Sequence, residues 1–136
     1  MTIEFPSIAI PASIRAERQR QIDSEGWTPA HDDQHDGREL MAAAMCYFRN
    51  AKGEMVLTSC REVNGQGRHV VARVPMGWPW DSQWWKPKGK RRDLVRAGAL
   101  MLAEAERLRR RDPACALNHV ADKLRRVCQA LNGLSA

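Results

Sequence analysis

A chain of 136 residues is long enough to bury a modest core as one domain (1–136), without metals or disulfides to staple it. No run of about 18 apolar residues is present, which excludes a membrane-spanning helix and a membrane partner of that kind. The net charge of +6 favours anionic partners, and the basic residues gather at 86–92 and 107–111 while 23–39 is acidic.

Residues 1–11 read as an extended arm. With Glu4 and no basic start it does not resemble a secretory signal, so the cytoplasm of a bacterial host is the expected location. A first helix is expected from Ser13 to about Glu25, closed by Gly26. Its apolar content is thin, so it must lean on another element. After a polar loop from Trp27 to Asp36, the order Asp36-Gly37-Arg38-Glu39 fits a capping box. The helix it would start, through Phe48, is apolar nearly all round and is expected to sit centrally. The runs Met55–Thr58 and His69–Val74, with Asn64-Gly65 and Gly67 between them, predict a β-hairpin within 54–74.

A tryptophan-rich loop follows at 75–88. The third helix is expected over about 89–111, with Leu94, Val95, Gly98, Met101, Leu102, Ala105 and Leu108 on one face. Gly98 and its neighbouring alanines would admit a close helix partner. Asp112-Pro113 reads as the N-cap and first-turn proline of a C-terminal helix (113–132) carrying Leu117, Val120, Leu124, Val127, Cys128 and Leu131. The sum is a mainly α fold: a small bundle of four helices with one inserted hairpin. The four cysteines show no zinc-ligand spacing and read as free thiols. Cys115 and Cys128, on one helix, would lie roughly 20 Å apart, too far to bond.

Four of the five tryptophans fall within Trp78–Trp85, flanked by prolines that forbid one regular helix. Indoles on irregular backbone either staple a loop to the body or line a pocket. Lys86, Lys88, Lys90, Arg91 and Arg92 follow at once. Flat apolar faces beside cations suit a phosphorylated, π-rich ligand. The charges of Arg91 and Arg92 at the positive end of a helix are locally unfavourable, which favours an anion there.

The second cluster, Trp27-Thr28-Pro29-Ala30-His31-Asp32-Asp33-Gln34-His35-Asp36, sets imidazoles and carboxylates ahead of a helix. Such groups can hold Mg²⁺ or Mn²⁺. Ligands adjacent in sequence do not converge readily, so a site would draw on Asp33, His35 and Glu39 with Asp93 and Glu104. The structural alternative is that Asp36 caps, Asp32 and Asp33 form an Asx turn, and a histidine anchors the loop. No serine sits in a nucleophile elbow, and Gly65-Gln66-Gly67 reads as a hairpin turn and not a phosphate loop.

Two segments resemble an uncharacterised family of small phage and prophage proteins. They are Glu25-Gly26-Trp27-Thr28-Pro29-Ala30-His31-Asp32-Asp33-Gln34-His35 with the helices flanking it, and Trp78-Pro79-Trp80 through Trp84-Trp85-Lys86-Pro87 to Arg91-Arg92-Asp93-Leu94-Val95-Arg96-Ala97-Gly98-Ala99-Leu100. More distantly the order is similar to MazG-like nucleotide pyrophosphohydrolases, all-α enzymes that hold Mg²⁺ on acidic pairs from two helices. This chain departs from their acidic helix, since within Gly37–Phe48 only Glu39 is acidic. The resemblance implies a phage accessory protein with a nucleotide-shaped pocket between the second and third helices.

The expected ligand is a nucleotide-like phosphorylated molecule, with sequestration of a host-defence nucleotide signal as its purpose. Trp27, His31, Trp80, Trp84, Trp85, Lys86, Arg91 and Arg92 would contact it. The alternatives are a Mg- or Mn-dependent nucleotide hydrolase and a protein-binding antagonist of a host defence complex. Direct nucleic-acid binding ranks below these, and the wide apolar faces are compatible with a homodimer or larger assembly.

Overall fold

The computed structural model describes Phe5, residues 7–32 and residues 38–134. Among them the chain forms α1 (Ala12–Glu25), α2 (Pro29–Asp32), α3 (Glu39–Lys52), β1 (Leu57–Val63), β2 (His69–Pro75), a 3-10 turn (Ser82–Trp84), α4 (Lys90–Arg111) and α5 (Asn118–Leu134). The fold is mainly helical, with one small antiparallel hairpin inserted between α3 and α4.

Two glycines set helix ends. Gly26 and Gly53 follow α1 and α3 with φ of +72° and +75°, and their N–H groups donate back to Gln21 and to Arg49 and Asn50. A side chain is strained in that left-handed conformation, so glycine at these positions stops a helix cleanly. The second stop lengthens α3 to Lys52, one turn beyond the apolar run.

The centre of the bundle is α4 and not the helix at Gly37–Phe48. Leu94, Val95, Ala97, Ala99, Leu100, Met101, Leu102, Ala103 and Ala105 are all buried, and α1, α2, α3 and α5 all pack on α4. Its many small side chains let neighbours approach from every side, whereas Met41, Ala42 and Met45 leave part of α3 open. At Gly98 the approach is closest: a Cβ there would lie 2.5 Å from Cδ1 of Ile14 on α1.

α1 docks on α4 with a polar stripe. Ile14, Glu17, Arg18 and Gln21 recur at helical spacing and all are buried. Burying charge this way requires partners. Arg18 Nη2 donates to Asp32 Oδ2 at 2.7 Å, its Nη1 to the Trp27 carbonyl at 3.0 Å and its Nε to Glu106 Oε1 at 3.1 Å. One guanidinium therefore joins α1, α2 and α4. Asp32, read from sequence as an Asx-turn residue, is instead fully buried as the counter-ion of Arg18.

Asp112-Pro113 does not start α5. Asp112 terminates α4, and its carboxylate and carbonyl accept from Ala114 N–H and Cys115 N–H in a tight turn. The helix begins only at Asn118, so Cys115 lies outside it. All four cysteines are free. The capping-box residue Asp36 lies outside the described residues.

Candidate ligand-binding site

The loop between β2 and α4 is held in place by named bonds. The Tyr47 hydroxyl, on α3, donates to the Trp84 carbonyl and accepts from Lys86 N–H. Arg96 on α4 donates to the Lys86 carbonyl. Glu62 on β1 accepts from both the N–H and the hydroxyl of Ser82, and these bonds lower its pKa. Trp78 Nε1 donates to the Asp81 carbonyl at 3.1 Å. The loop is thereby tied to α3, α4 and the hairpin.

The indoles divide into two roles. Trp85 and Trp78 pack on Tyr47, with ring centroids 4.7 and 5.8 Å away, and on each other at 5.2 Å. They extend the core, and Trp85 contributes no wall to the cleft. Trp80 packs edge-on against Trp78 at 5.5 Å and reaches Trp27 at 5.6 Å, while Trp84 lies 6.4 Å from Trp27. Trp27, His31, Pro79, Trp80, Trp84, Glu25 and Asp81 line an open cleft of about 490 Å³. The Trp27 and His31 rings lie within 6° of parallel, their centroids 6.5 Å apart. His31 is oriented by α2, whose first turn is capped by Thr28 Oγ1 accepting from His31 N–H, and by its contact with Asp32.

This cleft is bounded by α2 and the tryptophan loop. It does not lie between α3 and α4, whose buried faces pack against each other. Four of the expected contact residues therefore meet there: Trp27, His31, Trp80 and Trp84. Lys86 stands at the edge, its Nζ 5.4 Å from the Trp84 ring centroid. Arg91 and Arg92 line a different cleft, against α1. Comparison with known protein families, characterised proteins and solved structures finds no match.

Of the expected metal ligands, Asp33 and His35 lie outside the described residues. Asp93 is a buried tie, accepting from Asn50 Nδ2 and from Lys88 N–H. Glu104 is eleven residues farther along α4, roughly 16 Å away at helical rise, and is paired with Arg107 at 2.7 Å. Burial raises the Glu104 pKa despite that pairing, and the nearby charges of Glu39 and Asp32 add to the rise. Glu39 Oε2 is buried without a hydrogen-bond partner among the described residues. Among those residues no three His, Cys, Asp or Glu side chains are grouped to hold a metal ion.

Glu25, Pro79 and Asp81 are cleft residues that the sequence does not single out, although Pro79 and Asp81 adjoin Trp80 and Glu25 stands two residues before Trp27. The carboxylates of Glu25 and Asp81 matter chemically, because an acidic cleft wall accepts from N–H groups and repels phosphate. Between the two clefts lies a cavity of about 10 Å³, walled by residues of both, among them Glu17, Arg20, Glu25 and Trp84. That is the space of a single water.

Proposed function

We propose that this protein binds a nucleotide-like ligand, with a flat heteroaromatic base in the cleft of Trp27, His31, Trp80 and Trp84. The observation that carries the reading is the convergence of three indoles and an imidazole on one open cleft of about 490 Å³, within the size range of small-molecule sites. Glu25 and Asp81 favour a base bearing amino groups, since an ionised carboxylate only accepts hydrogen bonds. The phosphate would lie outside the acidic wall, toward Lys86. In a phage or prophage setting such a protein would sequester a host-defence nucleotide.

Intrinsic fluorescence titration with the four ribonucleoside monophosphates tests this. Adenosine, guanosine and cytidine nucleotides are expected to quench the indoles more strongly than the uridine nucleotide, which carries no amino group. Trp84 is 38% exposed, so Trp84→Ala is expected to leave the fold intact. Losing one stacking partner costs about 1–3 kcal/mol, a weakening of roughly 5- to 150-fold. No quenching by any of the four at millimolar concentration would refute the reading.

A hydrolase reading has less support, because Asp93 and Glu104 are engaged separately and stand turns apart on α4. The protein-binding alternative rests on the hairpin and its flanks and not on the indoles. Val56, Leu57, Val63, Val70, Val71 and Met76 are exposed, an apolar concentration typical of contact surfaces.

A further inference from the structure

We propose that a second cleft, formed by α1 and the start of α4, binds a polyphosphate chain. This cleft has a volume of about 700 Å³ and is lined by Arg20, Lys88, Lys90, Arg91 and Arg92, with Glu17 as its only carboxylate. Glu17 is already committed. It accepts from Arg20 Nε and from Arg92 Nη1, each at 2.8 Å. Lys88, Lys90 and Arg91 form no ion pair with any described residue, although all three are exposed and share the cleft wall.

The surroundings increase this positive charge. The N-cap of α4 is Gly89, which gives the first-turn amides no side-chain acceptor. Asp93, the only acid in that turn, is buried, its carboxylate taken up by Lys88 N–H and Asn50. Helices usually carry acids at this end, since their amides present partial positive charge. Here one buried acid, Asp93, is outnumbered by Lys90, Arg91 and Arg92, and the repulsion among these cations is a cost that a bound polyanion removes.

Arg20 is drawn onto Glu17 and Glu25, and Arg92 onto Glu17. The uncommitted charge is that of Lys88, Lys90 and Arg91, side by side on the wall at the start of α4, and a row of cations suits several linked phosphates better than one. Arg91, whose guanidinium is not taken up by Glu17, offers paired N–H donors matched to phosphate oxygens. The chain of phosphates would be free or carried on a nucleotide. This site stands on its own observations, and it holds whether or not the aromatic cleft takes a base.

Calorimetric titration of the whole chain with tripolyphosphate, ATP and a single-stranded oligonucleotide tests the proposal. Tripolyphosphate is expected to bind at low salt and more weakly at high salt. The double variant Lys88→Glu/Arg91→Glu is expected to weaken it roughly tenfold or more, the scale of one lost charge-assisted hydrogen bond. Both positions are exposed, and circular dichroism would check that the variant folds. Trp84→Ala is expected to leave tripolyphosphate affinity unchanged, which separates this site from the aromatic one. If ATP matches tripolyphosphate, the phosphates alone are recognised. If ATP binds more tightly and depends on Trp84, the chain is borne on a base. The proposal is overturned by absence of tripolyphosphate binding, by an unaltered affinity in the double variant, or by an oligonucleotide binding where tripolyphosphate does not.

Discussion

Arg18 shows how much of this molecule depends on single side chains whose role is hidden in sequence. Its guanidinium is the partner of a fully buried Asp32. Replacing it with methionine keeps the stem's volume but leaves that carboxylate without its cation. Breaking a buried pair in this way costs about 3–5 kcal/mol. Chemical denaturation of Arg18→Met should show a loss of that order. Adding Asp32→Asn should restore part of it, because the orphaned charge is gone. If Arg18→Met unfolds at the wild-type midpoint, the buried network has been misjudged. Nothing in the sequence marks Arg18 among the 22 Lys and Arg residues, because Glu106 lies 88 positions away. The aromatic residues were legible for the opposite reason. Their density between prolines has few structural uses, and four of the expected contacts do share a cleft.

At the level of elements, periodicity located the helices, while their ends depended on turn chemistry. Leu94 to Leu108 declared α4 through spacing alone, and Gly98 marked a close contact that proves to be with Ile14 of α1. Gly98→Ala should therefore destabilise the protein by about 1–3 kcal/mol through overpacking, despite alanine's better helix propensity. Ile14→Val removes Cδ1, the nearest atom, so the double variant should lose less than the two single losses combined. A thermal-denaturation cycle measures that coupling, and strict additivity would contradict the packing. The start of α5 was misread because Asp112-Pro113 has the chemistry of a helix start and of a turn alike. Only the chain's path, with Asp112 bonding Ala114 and Cys115, distinguishes them. The tryptophan loop makes a parallel case, since its order depends on Glu62 across the hairpin. Glu62→Ala removes the acceptor for Ser82. Limited proteolysis should then cut the loop between β2 and α4 faster than in wild type, while Val71→Thr on the exposed strand face should not change the rate.

For the molecule as a whole, two buried carboxylates couple stability to pH in opposite directions. Burial alone would raise the pKa of Glu17, but hydrogen bonds and charge from Arg20 and Arg92 outweigh it and hold the value below the ordinary 4.5. For Glu104 burial wins over Arg107, and the value lies above 4.5. A depressed carboxyl contributes stability that is present above its unfolded pKa and is lost as pH falls through its folded one. A raised carboxyl contributes stability that is present below its unfolded pKa and is lost as pH rises through its folded one. Acidification from neutrality should therefore first relieve Glu104, above pH 4.5, and only afterwards discharge Glu17, below it. Denaturant midpoints measured across this range should separate the two. The difference between wild type and Glu104→Gln should change above pH 4.5, with wild type gaining relative to the variant as acid is added. The difference between wild type and Glu17→Gln should change below pH 4.5, with wild type losing its advantage. Because Arg20 and Arg92 both face the basic cleft, bound tripolyphosphate should alter the second difference and leave the first alone. Equal changes in both would mean that the acid response comes from elsewhere in the molecule.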